Sequence, residues 1–233
     1  MRILAIETSQ RNAGFALFDS DRTEDPLARE LTAPTQSSGA VSTVSDLLAE
    51  AGWAAGSLDV VAASLGPGSF TGLRVGLTIA NTLGYATGAV PVGVPTFEIV
   101  ASQVEEAEPE RLLVVGDAQR GEAFVQNFAR EGEGWTPRGE VAIRSVEQIA
   151  DREQSPFLVA GPGLTRFADD FGNVAGCVVA DRQHWQPRAE TLARLAASSP
   201  NNSTRALLRP IYIRRSAAEE KAERASASAQ PAK

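Results

Sequence analysis

The groups in this chain with chemical potential are a glycine-rich turn, a stripe of small residues behind it, and two carboxylates that end apolar runs. Gly66-Pro67-Gly68-Ser69-Phe70-Thr71-Gly72 follows Val60-Val61-Ala62-Ala63 and opens a segment that reads as a helix to about Ala86. Strand, glycine turn and helix in that order can aim backbone N–H groups and a positive helix end at an anion. The same turn can equally serve only to bring the helix close to a sheet. Gly72, Gly76, Ala80 and Gly84 recur every four residues, so on a helix they form one nearly side-chain-free ridge. Each helical glycine costs about 1 kcal/mol relative to alanine, and close approach of a second helix is the obvious compensation. Glu7, followed by Thr8 and Ser9, and Asp117 are the carboxylates. Each can cap N–H groups of its own turn or help to hold a phosphate and its metal ion.

Several chemistries are excluded or weakened at once. A P-loop needs a lysine beside the phosphates, and the only lysines are Lys221 and Lys233, in the tail. The spacing Gly66-x-Gly68-x-x-x-Gly72 is looser than a dinucleotide fingerprint, and no carboxylate follows Ala89–Val94 until Glu98. Net charge is −7, a surface that repels phosphate backbones and argues against stand-alone nucleic-acid binding. One cysteine, Cys177, leaves no internal disulfide and no thiolate zinc cluster, and its apolar neighbours suggest an inert core residue. One histidine, His184, cannot make a paired-histidine metal site, and its polar surroundings suggest a solvated ring. The start, Met1 to Glu7, reads as a strand and not a signal peptide, and no apolar run reaches 18 residues, so a cytoplasmic protein without a membrane span is expected.

The elements that must position these groups read as two similar halves. Arg2–Ile6 and Ala13–Phe18 form a hairpin, with a third strand near 28–32. Val41, Val44, Leu47, Leu48 and Ala51 fall at helical spacing, with small residues such as Ser42 and Ser45 on the other faces. A strand over 59–65, the ridge helix, a strand over 89–94 and a helix over 96–104 complete a first lobe, 1–104. Leu112–Asp117 and Ala123–Ala129 repeat the hairpin and open a second lobe, 105–216, with further strands at 156–160 and 177–180 and a helix over 189–198. From 217 to 233 the chain is an Ala/Ser/Glu-rich tail for which no packed structure is expected.

Ile3-Leu4-Ala5-Ile6-Glu7-Thr8-Ser9 resembles the phosphate-loop hairpin of the actin/Hsp70/sugar-kinase superfamily, which implies a two-lobed α/β actin-like fold with flanking helices on a mixed sheet in each lobe. Gly66-Pro67-Gly68-Ser69-Phe70-Thr71-Gly72-Leu73-Arg74 closely resembles the signature of the TsaB (YeaZ) family. Gly116-Asp117-Ala118-Gln119-Arg120-Gly121-Glu122 and Pro210-Ile211-Tyr212-Ile213-Arg214 look like two further segments of that family, in family order. The resemblance implies a bacterial subunit of the machinery that makes N6-threonylcarbamoyladenosine at position 37 of tRNAs reading ANN codons. It implies a TsaD-type catalytic partner carrying a metal-binding histidine pair that this chain lacks, a TsaE-type ATPase, tRNA bound mainly through the complex, and self-pairing when the partner is absent.

On that basis Gly72, Arg74, Gly76, Ala80 and Gly84, with Val41 and Ser45, are expected to form the partner interface as half of a four-helix contact, with Tyr212, Arg214 and Arg215 at its edge. Glu7, Thr8, Ser9 and Asp117 are expected to mark a degenerate nucleotide pocket with no metal and no hydrolysis, and any ATP or ADP is expected at the partner interface. The alternatives are an active ATP-dependent phosphotransferase of the same fold and a peptidase, the latter opposed by the absence of any nucleophile–base pair.

Overall fold

The computed structural model describes residues 1–32, 36–106, 108–152, 156–198 and 206–214. The tail expected over 217–233, and Arg215, lie outside the described residues.

Two five-stranded sheets carry the chain. The first is built from β1 (Arg2–Glu7), β2 (Ala13–Asp19), β3 (Leu27–Leu31), β4 (Val60–Ser64) and β5 (Val90–Val94), in the order β3-β2-β1-β4-β5. β1 to β3 are antiparallel neighbours, whereas β4 and β5 run parallel to β1. The second is built from β6 (Arg111–Asp117), β7 (Ala123–Glu131), β8 (Gly134–Arg144), β9 (Phe157–Ala160) and β10 (Cys177–Val179), in the order β10-β9-β6-β7-β8. Read outward from its first strand, it repeats the topology of the first sheet. The duplication that two similar hairpins suggested is therefore present in the strand order.

Helices follow the crossovers that parallel pairing requires. α1 (Gln36–Glu50) and α2 (Phe70–Thr87) belong to the first sheet, and α3 (Thr96–Ala101) follows β5. α4 (Val146–Arg152), α5 (Leu164–Gly172) and α6 (Ala189–Ser198) come from the second half. The period of two along β1 sorts its side chains. Leu4 and Ile6 face α1 and α2 through Ala40, Val44, Leu47, Leu77 and Ala80. Ile3 and Ala5 face α3 and α6 through Ile99, Leu192, Ala193 and Ala196. The second sheet packs Phe97, Val100 and Ala101 of α3 on one face, and Ile149, Leu164, Phe167 and Phe171 of α4 and α5 on the other.

Three details depart from expectation. α6 lies in the core of the first sheet, so the second half of the sequence does not stay in the second lobe. α3 is shared, with Ile99 in the first core and Phe97 and Val100 in the second, so it cements the two sheets together. β8, α4 and α5 were not expected. β8 carries Pro137 and Gly139 and is tolerated because it is an edge strand, with a bulge opposite Val125–Asn127. Leu164, Phe167 and Phe171 of α5 do follow helical spacing, a signal that the short element and the preceding Gly-Pro-Gly obscure.

Candidate functional site

The glycine turn is built for tight packing. The Ser69 N–H donates to the Ser9 carbonyl at 2.6 Å and the Thr96 N–H to the Gly66 carbonyl at 2.8 Å, so the turn is pinned to the β1–β2 connection and to α3. A Cβ on Gly68 would lie 2.8 Å from Ser9 Cβ, which is why glycine is needed there. Ser69 is the N-cap of α2, its Oγ accepting from Gly72 N–H at 3.2 Å, and Gly88 closes the other end in the left-handed conformation. Ser69→Ala should lower stability by about 1 kcal/mol, read as a fall in Tm of a few degrees, without altering the far-ultraviolet spectrum.

The small-residue ridge faces inward, against the expectation that it receives a partner helix. Gly72, Gly76, Ala80 and Gly84 are all buried. A Cβ on Gly76 would collide with Thr8 Oγ1 and lie 3.3 Å from Ile6 Cγ2 of β1; one on Gly84 would lie 2.7 Å from Pro91 Cγ of β5. The compensation for helical glycine is thus a close approach to the chain's own sheet. Large side chains are excluded there because Thr8 and Ile6 at Gly76, and Pro91 and the Ala89 carbonyl at Gly84, already fill the space.

The outer face of the same helix is what stays open. Phe70, Thr71, Arg74, Thr78, Thr82 and Tyr85 are exposed, Tyr85 to 93%, and α1 adds Val41 at 66% and Ser45. Between the two helices runs a groove of about 430 Å3, lined by Val41, Phe70, Arg74, Val75, Thr78 and Ile79. Arg74 lies 3.8 Å over the Phe70 ring, and its Nε donates to the Tyr212 hydroxyl at 3.0 Å. Of the residues expected at the interface, Val41, Ser45 and Arg74 are therefore on this face, and the four ridge residues are behind it.

A second cavity, of about 800 Å3, lies between the lobes where the two hairpin turns face each other. Ser9, Gln10 and Arg11 line it from the first turn, and Asp117, Gln119 and Arg120 from the second. Glu7 and Thr8 do not line it. Glu7 is 2% exposed, with Oε1 accepting from the Ser9 N–H at 2.6 Å. Its Oε2 and the neighbouring Ser64 Oγ are buried without a partner. Burial pushes the Glu7 carboxyl up to about 7, opposed by the Ser9 hydrogen bond and by the nearby Ser64 hydroxyl. A carboxyl turned into its own strand ends does not fit the metal-positioning role of an actin-like ATPase. Asp117 does reach the cavity, but its carboxylate accepts from the Gln119 N–H at 2.7 Å and faces Arg166 at 3.5 Å.

Two single residues are also placed. Cys177 is half-buried, with its thiol pushed up to about 11 by burial, so it carries little thiolate at neutral pH. His184 is buried and not solvated, its Nε2 3.8 Å from the Glu106 carboxylate, in a pocket against α6. Neither lines the interlobe cavity. Among the described residues no helix is long and apolar enough to cross a membrane.

The family model described as TsaD, tRNA N6-adenosine threonylcarbamoyltransferase, matches residues 30–171, more than half of the chain. The tRNA threonylcarbamoyladenosine biosynthesis protein TsaB of Escherichia coli (strain K12) is 28% identical over 229 residues, covering 95% of this chain and 98% of that protein. TsaB of Bacillus subtilis (strain 168) is 27% identical over 95% of this chain and 97% of its own length. A Pseudomonas aeruginosa protein solved as similar to peptidase YeaZ superposes with a TM-score of 0.75 at 23% identity, over 91% of this chain and 99% of that one, and shows the same fold. The chain belongs to the TsaD family, on its TsaB (YeaZ) branch.

Proposed function

We propose that this chain acts in the biosynthesis of N6-threonylcarbamoyladenosine in tRNA, as the non-catalytic partner of a TsaD-type catalytic subunit. The observation that carries the reading is the open two-helix face of α1 and α2. It presents Val41, Phe70, Val75, Thr78, Ile79 and Tyr85 with Arg74 at its edge, while the groups of an actin-like ATP site are buried or tied up. A face with a mostly apolar groove, one cation and protruding aromatics suits a helix pair from another subunit. The partner's helices would lie across α1 and α2 and complete a four-helix contact. A second copy of this chain would take the same face when the catalytic subunit is missing. A TsaE-type ATPase would join the pair, and tRNA would be held mainly by the partner, since this chain carries net charge −7. Nucleotide, if held by this chain, would meet Ser9, Gln10 and Arg120 in the interlobe cavity. The rival phosphotransferase reading needs a metal-positioning carboxylate in that cavity, and the burial of Glu7 counts against it.

The test is size-exclusion chromatography with light scattering on a mixture with the TsaD-type subunit of the same bacterium. A defined heterodimer is expected. Thr78→Arg, in the middle of the exposed face, should weaken it at least about 100-fold by burying an unpaired charge, with Tm unchanged within a degree or two. Two separate peaks from the native chain, even with nucleotide and the TsaE-type ATPase present, would overturn the assignment.

A further inference from the structure

Past α6 in sequence, the irregular segment 206–214 ties the two lobes together. At its start Leu208 exchanges two hydrogen bonds with the Asn81 side chain of α2, its N–H donating to Oδ1 at 2.9 Å and its carbonyl accepting from Nδ2 at 3.1 Å. The Ile211 N–H donates to the Leu65 carbonyl at 2.8 Å, at the end of β4. Tyr212 stacks on Phe70, ring centroids 5.2 Å apart, and takes the Arg74 hydrogen bond. Two residues on, the contacts change lobe. Arg214 donates to the Ala118 carbonyl at 2.6 Å and pairs with the Glu122 carboxylate. Ile211 to Arg214 thereby line the interlobe cavity.

The turn that Arg214 grips is the most strained stretch of described backbone. Gln119, Arg120 and Gly121 are consecutive left-handed residues, with φ of 66°, 59° and 82°. Left-handed backbone is unfavourable for residues with a Cβ and persists where surrounding contacts over-determine it. Arg214 supplies contacts at both ends of this turn, at Ala118 and at Glu122, which are themselves joined by the Ala118 N–H to Glu122 carbonyl bond of 2.9 Å.

We propose that 206–214 is a clasp that couples the docking face to the interlobe cleft. Its Tyr212 end is built into the face that receives the partner, and its Arg214 end holds the strained 118–122 turn across the cavity. This rests on the partner-face reading above. A partner that presses on Phe70 and Tyr212 tightens the clasp and stiffens the turn on the far side of the cavity. Allosteric coupling of this kind requires that a change at either end be felt at the other.

Hydrogen exchange followed by mass spectrometry tests it in the free chain and in the complex. In the free chain, Arg214→Ala should speed exchange over 117–123 at least about tenfold. Tyr212→Ala, which removes no contact to that turn, should speed it at least about threefold, and Tyr212→Phe, which keeps the ring stack, should restore most of the protection. Adding the TsaD-type partner should slow exchange over 117–123 in the native chain but not in Arg214→Ala, although that variant still binds. Native rates over 117–123 in Tyr212→Ala would overturn the clasp, as would a complex that forms and leaves that stretch unchanged. If no complex forms, the partner reading fails by itself and the free-chain variants still decide the clasp.

Discussion

Gly76→Leu should prevent the chain from folding, so that no partner is needed to see the defect. Gly76 lies mid-way along α2 on the buried side, where even a methyl group would collide with Thr8 Oγ1 and crowd Ile6 Cγ2. Thr8 cannot simply swing away. It is buried, and the Ser9 beside it is held between the Glu7 carboxylate and the Ser69 N–H. Accommodating leucine means lifting α2 from β1 and β4, which exposes Leu77 and Ala80 and opens the contact between α2 and the first core. Overpacking of a tight core typically costs about 1–3 kcal/mol, and separating a helix from its sheet adds lost burial of about 25 cal/mol per Å2. The sum is comparable with the about 5–15 kcal/mol that holds a typical domain together. The expected outcome is an insoluble product or a chain without a cooperative melting transition. Gly76→Ala should fold with Tm lowered by several degrees. Thr78→Arg, two positions on but outward, should melt like the native chain. A Gly76→Leu variant that melts normally and fails only to bind a partner would show that the ridge faces outward after all.

That contrast marks what the sequence alone could carry. A four-residue period places Gly72, Gly76, Ala80 and Gly84 on one face of a helix, and it does so correctly. It says nothing of what the face meets. The groups that decide this, Ile6 and Pro91 in other strands and Thr8 just past the end of β1, are brought under the helix by pairing of β1 with β4 and β4 with β5. The hairpins were readable because Arg2–Glu7 and Arg111–Asp117 are apolar runs that end in a carboxylate and a turn. The duplicated topology followed from them. The return of α6 to the first sheet was not readable, since Leu192, Ala193 and Ala196 would fit either apolar core.

The polar residues were harder still. His184 stands among Asp181, Arg182 and Gln183, which reads as solvent, yet the chain folds it inward beside Glu106. The sequence puts Arg74 at the interface, and it is on the open face; its grip on Tyr212 depends on a segment 138 residues later. In the sequence Glu7 reads either as a cap or as a metal-positioning group. The structure places it as the cap, because its carboxyl turns between the ends of β1 and β4 and not toward the second hairpin.

Glu7→Gln should therefore make the protein more stable at neutral and alkaline pH and remove a large part of its pH dependence. In the folded chain burial raises the Glu7 carboxyl from its ordinary 4.5 to about 7. Below pH 4.5 the folded and unfolded chains both carry the proton, and the neutral acid is buried without a charge penalty. Between pH 4.5 and 7 the unfolded chain gives up its proton while the folded chain keeps it, so stability falls as pH rises, by about 1.4 kcal/mol per pH unit. Above pH 7 both forms are ionised and the loss stays constant, at about 3 kcal/mol. Glutamine keeps an Oε1 to accept the Ser9 N–H and offers an N–H beside the unpartnered Ser64 hydroxyl, without the desolvation of a charge. Urea melts of both proteins from pH 4 to 8.5 should diverge across the window from 4.5 to 7, with the variant above the native chain by about 2–3 kcal/mol at pH 8. The same variant tests function in a way that its stability does not confuse. If Glu7 is only a cap, complex formation with the TsaD-type subunit should survive the substitution at every pH in the range. Parallel stability profiles would mean that the carboxyl is ionised and compensated in the folded protein. A lost activity with unchanged complex formation would return Glu7 to the chemistry from which its burial removes it.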